Sequence, residues 1–303
     1  MKLAVIGGYG LLGSTAAFCA GQKGLFDDIY LIGRKKNLLK SHVMDMDQAL
    51  RAVSRTKVRE GEYACLHECD VILFTASMPE REVDNRNEYL SANRELVENI
   101  ACQIKANCSE KVILCATNPI DVFNYALYRI LGWDRNKFLG FGYNDTLRLK
   151  WALADELGLE YQGLEAYVLG EHGDLQAPVF SQIRYRGEKI ELDGEKAKRV
   201  GGMIANYFRS FQALDAKRTS GWTSAIGIAT ILEAIVEERE EYFPCSAVLQ
   251  GEYGLHDISA GVPVRLGRNG IRSILALNLI EEEQQRLDMA GEGIRRQIKT
   301  VGY

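Results

Sequence analysis

Long hydrophobic runs are missing from this chain: no stretch approaches the roughly 20 apolar residues of a membrane span, so no transmembrane helix is expected. The first β-like run begins at Lys2, which leaves no room for the charged and apolar regions of a secretory signal, and a cytoplasmic protein is expected. Basic blocks are also missing. The 37 Lys and Arg and 41 Asp and Glu are interspersed to a net charge of -4, which argues against nucleic acid and anionic membranes and leaves a small molecule as the expected partner. Cysteine is modest and odd in number, with seven residues, several inside apolar stretches such as "AAFCA" and "KVILCA", where buried thiols sit; disulfides are not expected. Histidine is scarce, with four residues. One of them lies in Cys65-x-His67-x-Cys69, but no second Cys/His pair follows at zinc spacing, so no metal is expected and the segment reads as surface leading into a strand. What the chain does have is 47% apolar content over 303 residues, enough for two modest domains or one large one.

Over the first half, short β-rich runs alternate with helical patterns: "KLAVIG", a helix from Leu11, "DIYLIG", a helix over 38–50, "DVILFTA", a helix over 87–106, "KVILCA" and the apolar "DVFNYALYRIL". Near-continuous apolar strands separated by helices predict a parallel sheet covered on both faces, that is, a doubly wound α/β domain of the Rossmann type over residues 1–143. Beyond it the texture changes. A helix over 145–157, a strand "EAYVLG", a hairpin-like "VFSQIRYRGEKIEL", helices over 195–214 and 222–238, a hairpin around "RNG" and a closing helix over 280–299 predict an α+β domain spanning 144–303.

"VIGGYGLLGSTAAF" places Gly7, Gly10 and Gly13, with Leu12 among them, directly after the first strand and at the mouth of the first helix. Glycines there allow a tight turn, close approach to a pyrophosphate and close helix packing, while the helix N-terminus offers unpaired N–H groups. Dinucleotide binding follows. NAD sites usually end the second strand with an acid for the ribose 2′-hydroxyl, but here the strand runs into Gly33, Arg34, Lys35 and Lys36. With no carboxylate to repel a 2′-phosphate, and an arginine able to stack on adenine or fork onto phosphate oxygens, NADP(H) is expected ahead of NAD(H). The alternative for these bases is a solvated turn.

"GEHGD" (residues 170–174) sets His172 between two acids and two glycines after an apolar run. "GYNDTLRLK" puts Asp145 at the start of a helix with Arg148 three residues on, neighbours on one face. "ATNPID" puts Asn118 at the end of a parallel strand, the edge where doubly wound sheets bind ligands. "PEREVDNR" is a charged loop ending in Arg86. In this order and at these intervals the motifs resemble the lactate/malate dehydrogenase superfamily from Met1 to the last helix. The resemblance implies an NAD(P)-dependent enzyme acting on a small 2-hydroxy or 2-oxo acid, assembled as a dimer or tetramer. It implies that His172 exchanges a proton with the substrate oxygen, that Asp145 holds its other nitrogen, and that Arg148 clamps the C1 carboxylate. It also implies that Arg86 polarises the carbonyl and that Asn118 aligns the cofactor carboxamide or the substrate oxygen.

Two departures stand against that pattern. The loop position six before Arg86, glutamine in lactate-type and arginine in malate-type members, is Glu80 here, followed by Arg81. Glu80 in the pocket would repel a second carboxylate, and a one-residue shift would present Arg81 and restore a malate-like site. Thr223, in "SGWTSAIG", resembles the lactate-type residue of the opposite wall, narrowed by Trp222. The turn between Gly142 and Asp145 is one residue short of the family spacing, which places the His172–Asp145 geometry in question. Two other classes compete: a catalytically silent dinucleotide sensor or subunit, and an enzyme like the family 4 glycosidases, which need a metal held by cysteine and histidine and run much longer, so that the short chain and the GEHGD motif count against it.

Overall fold

The structure, a computed structural model, describes residues 1–78, 86–215 and 220–303, and of residues 86–89, 92 and 208 the backbone alone. Its first half runs β1 (Lys2–Ile6), α1 (Leu11–Gln22), β2 (Asp28–Ile32), α2 (Lys36–Arg51), β3 (Lys57–Gly61), β4 (Val71–Phe74), α3 (Arg86–Asn107), β5 (Val112–Cys115), α4 (Ile120–Leu131) and β6 (Phe138–Gly140). Apolar runs without alternation become strands covered on both faces: every residue of β4, β5 and β6 is buried. The strands pair in parallel in the order β3-β2-β1-β4-β5-β6. The order reverses between β1 and β4, and at such a switch point the loops leaving neighbouring strands diverge to opposite faces and open a crevice at the carboxyl edge.

The second half runs α5 (Tyr143–Leu157), β7 (Leu164–Glu165), β8 (Val168–Gly170), β9 (Gln176–Pro178), β10 (Arg184–Tyr185), β11 (Glu188–Lys189), α6 (Gly194–Ala213), α7 (Trp222–Glu237), β12 (Phe243–Gln250), β13 (His256–Gly267), β14 (Gly270–Ile274) and α8 (Glu281–Thr300). Its long strands do not build a sheet of their own. β12 pairs antiparallel with the outer edge of β6, with Ser246 opposite Gly140, and β13, β8 and β9 continue outward from it. An unpaired β6 edge would leave backbone N–H and C=O groups open, and β12, buried over seven of its eight residues, covers them. One hydrophobic core accordingly spans both halves, joining β1, β4 and β5 to β12, β13, α7 and α8.

The run "EAYVLG" is two strands rather than the single one its pattern predicts. Leu164–Glu165 pairs with β10 in a small separate sheet, and Val168–Gly170 with β13 and β9, Ala166 and Tyr167 carrying the chain between them. A smaller core under α5 and α6, with Leu149, Leu153, Leu164 and Val200, fills the space this split creates. The β10–β11 hairpin turns on Arg186 and Gly187, both at positive φ (52° and 83°), as a two-residue turn of the mirror-image type requires. The Cys65-x-His67-x-Cys69 segment is one 3-10 turn leading towards β4, with His67 exposed and its Nδ1 2.6 Å from the Ala64 carbonyl oxygen. Among the described residues no helix is long and apolar enough to cross a membrane.

Candidate active site

Gly7 follows β1 at the switch point, at φ +92°, with its N–H donating to the Ile32 carbonyl at the end of β2 (2.9 Å). A Cβ there would lie 2.7 Å from the Ala76 nitrogen, in a backbone conformation that L residues rarely adopt. Gly13, one turn into α1, has no room either: a Cβ would sit 2.5 Å from Thr75 Oγ1 and 2.6 Å from the Gly7 carbonyl oxygen. Gly10 stands at the start of α1, which has neither a side-chain cap nor an acid in its first turn, so its leading amides are open to an anion. Leu12 packs half-buried against the core, and Gly33 lies under the Tyr9 ring. Arg34 and Lys35 are exposed at the end of β2, while Lys36 pairs with Glu62 (2.8 Å). A turn closed to side chains, beside an uncapped helix end with bases at its rim, fits a dinucleotide.

At the carboxyl edge further along the sheet, Asn118 is exposed three residues after β5, joined to Pro119 by a cis peptide bond. His172 lies in the loop after β8, and its Nδ1 is 2.5 Å from Asp145 Oδ2. Asp145 sits in the first turn of α5, where the helix dipole favours an anion, and its other oxygen accepts from Arg148 Nη1 at 3.3 Å. The short turn between Gly142 and Asp145 therefore leaves the pair intact. The Arg148 guanidinium lies 4.5 Å over the Tyr207 ring of α6 and its side chain is 13% exposed, so it is held in place before any ligand arrives. Burial works against a charged imidazole at His172; the charge and hydrogen bond of Asp145, aided by the charge of Asp121, outweigh it and hold the ring above the ordinary histidine pKa.

The loop carrying His172 is fastened from two sides. Glu171 accepts from the Leu175 N–H (3.0 Å) and from Gln297 of α8 (2.5 Å), and Asp121, near the start of α4, accepts the His172 N–H at 2.8 Å. Neither Asp121 nor Tyr207 was singled out by the sequence reading. For Asp121 a signal existed: α4 is apolar on nearly every face, and an acid inside a helix buried all round needs a partner. Tyr207 had none, because its meeting with Arg148 depends on how α6 crosses α5. Thr223 is exposed in the first turn of α7, which packs on α1. Among the described residues, no hydrogen bond ties Thr223 or Asn118 to the His172 group. Glu80 and Arg81 lie outside the described residues, as does the side chain of Arg86, whose backbone opens α3.

Comparison with known proteins gives this geometry its relatives. Residues 1–140 match the family model described as the lactate/malate dehydrogenase NAD binding domain, and residues 144–302 that of the lactate/malate dehydrogenase alpha/beta C-terminal domain. Malate dehydrogenase of Natronomonas pharaonis is 31% identical over 303 residues, covering 99% of both chains, and L-lactate dehydrogenase 3 of Bacillus cereus is 29% identical over 316 residues, covering 100% of this chain and 98% of its own. Among solved structures, malate dehydrogenase from Aeropyrum pernix superposes with a TM-score of 0.90 at 28% identity, covering 99% of this chain and 98% of that one. The minor L-lactate dehydrogenase from Enterococcus mundtii, with a TM-score of 0.93 at 22% identity over 99% and 98% of the two chains, shares the fold. With both halves matched end to end, the chain belongs to the lactate/malate dehydrogenase family of 2-hydroxy acid oxidoreductases.

Proposed function

We propose that the chain interconverts a small 2-oxo acid and its 2-hydroxy acid, with NADP(H) favoured over NAD(H). The observation that carries this is the Arg148–Asp145–His172 array, in which one buried carboxylate holds a cation for a substrate carboxylate at 3.3 Å and an imidazole for its oxygen at 2.5 Å. A bound nicotinamide supplies or takes up the hydride. In reduction, His172 gives its Nε2 proton to the carbonyl oxygen as negative charge develops there; in oxidation the neutral ring takes that proton back. Asp145 fixes which nitrogen is presented and stabilises the charged ring. Arg148 forks onto the C1 carboxylate, Arg86 polarises the carbonyl, and Asn118 aligns the carboxamide or the reacting oxygen.

Support for the cofactor preference is that Arg34 and Lys35 are exposed at the end of β2 with no acid in that turn, so among the described residues two cations stand free there for a 2′-phosphate, while Glu62 is held by Lys36. The substrate side chain is read by Glu80 or Arg81 and by Thr223. The test is initial-rate oxidation of NADPH and, separately, NADH against pyruvate, oxaloacetate, and branched, aromatic and amine-bearing 2-oxo acids. Turnover of oxaloacetate assigns Arg81 to the pocket, and preference for a neutral or amine-bearing acid assigns Glu80. Higher kcat/KM with NADH than with NADPH would refute the cofactor preference, and nucleotide binding without turnover of any acid would favour the silent sensor.

A further inference from the structure

Asp121 is a costly residue for the place it occupies. It is the second residue of α4, it is 3% exposed, and among the described residues only one of its oxygens is hydrogen-bonded, Oδ2 to the His172 N–H at 2.8 Å. Among the described residues Oδ1 has no hydrogen-bond partner. The Ser246 hydroxyl lies close enough to favour the charged carboxylate, but its short bond is to Ser259 Oγ at 2.8 Å, which also accepts from Asn124. A buried carboxylate with half its capacity unused is destabilising, and a neutral amide would accept the same N–H without the charge. A use for the charge stands beside it, because Asp121, Asp145, Glu171 and His172 line one narrow cavity.

We propose that Asp121 is a positioning residue for His172, fixing its backbone through Oδ2 and holding its imidazole in the protonated form through charge. Asp145 then acts on the ring nitrogen and Asp121 from the backbone side. The charge of Asp121 works to raise the His172 pKa, behind the larger opposed effects of burial and Asp145. Burial in turn pushes the Asp121 carboxyl up to about 6, against the favourable influence of Ser246 and of the His172 amide and charge. The titratable groups facing the pair, among the described residues, are Asp145 and Arg148 on α5, Glu171 on the loop, and the Cys115 thiol below, which burial raises to about 12. As pH falls through about 6 Asp121 loses its charge, and its support for the imidazolium goes with it.

This rests on reading His172 as the proton donor, and the experiment separates the two. The His172 ring is followed by NMR across pH 5–9 in protein labelled at histidine, its resonance assigned by its loss in His172→Asn, for the wild type and for Asp121→Asn, which keeps an acceptor for the His172 amide and removes the charge. The expected result is a His172 midpoint lower by about half to one unit in Asp121→Asn. The alkaline limb of 2-oxo acid reduction should fall by the same amount, with the KM for cofactor unchanged. In the wild type the ring signal should also show a second, smaller step near pH 6 as Asp121 takes up its proton. An unchanged midpoint in Asp121→Asn, even with lost activity, overturns the proposal, as does a single-step wild-type titration, which needs no folded variant. Absence of turnover with every acid would defeat the donor reading alone, because the NMR midpoints still decide the role of Asp121.

Discussion

Replacing Asp145 with asparagine removes a charge and little else, and its effect can be worked from the geometry. The carboxylate lies 2.5 Å from His172 Nδ1 and 3.3 Å from Arg148 Nη1. Two unit charges about 4 Å apart attract by about 4 kcal/mol at an effective dielectric of about 20, and a pKa unit corresponds to about 1.4 kcal/mol. Asp145 therefore raises the imidazole pKa against the opposing effect of burial, and a charge partner of this kind is commonly worth about 1–3 units. In Asp145→Asn burial is left largely unopposed, so the ring should titrate below the ordinary histidine value. Reduction needs the imidazolium, so its activity is full below the ring's pKa and lost as pH rises through it; oxidation needs the neutral ring and shows the reverse. Both limbs should move to lower pH by about 1–3 units. An asparagine N–H facing Nδ1 would also place the proton on the wrong nitrogen, so kcat should fall about 10²–10⁴-fold at pH 7.5. The KM for the 2-oxo acid should not rise, because Arg148 loses a competing carboxylate. Steady-state kcat and KM in both directions over pH 5–9 measure all of this. A reduction limb that stays in place, or a kcat within threefold of wild type, would refute the reasoning.

Two further substitutions separate the cofactor side from the substrate side. Gly13→Ala puts a Cβ 2.5 Å from Thr75 Oγ1 and 2.6 Å from the Gly7 carbonyl oxygen, so the turn must shift; stability should fall by about 1–3 kcal/mol and nucleotide affinity with it, read by thermal melting and fluorescence titration, and an unchanged affinity would argue against the turn as the pyrophosphate site. Arg148→Lys keeps the charge but loses both the fork and the stacking on Tyr207 at 4.5 Å, so the KM for the 2-oxo acid should rise about 10²-fold while cofactor affinity holds, and equal KM values would exclude Arg148 as the carboxylate clamp.

The parallel half was legible because its strands are buried on both faces, so "DVILFTA" and "KVILCA" carry apolar residues without alternation and can be little else. The helix limits there fell within a residue or two where charge or glycine marks them. The second half was legible as elements but not as a sheet. Nothing in "FPCSAVLQ" says which edge it will cover, since pairing with β6 is a contact across more than a hundred residues. "EAYVLG" misled for a related reason: its pattern is continuous, but its two ends are claimed by different partners, β10 and β13. In the site, His172, Asp145 and Arg148 were legible from motif and helix spacing, and the structure joins them. Asp121 was passed over because an acid two residues into a helix reads as an ordinary first-turn charge until the helix is known to be buried.

The central claim is that His172 exchanges the substrate proton while the glycine turn holds the cofactor independently of it. The most direct test measures nucleotide binding and 2-oxo acid reduction side by side in the wild type and in His172→Asn. The expected result is equal nucleotide affinity, turnover of at least one 2-oxo acid by the wild type, and a loss of about 10²–10⁴-fold in kcat for the variant across pH 6–8. Turnover that survives the substitution at wild-type rate would contradict the claim.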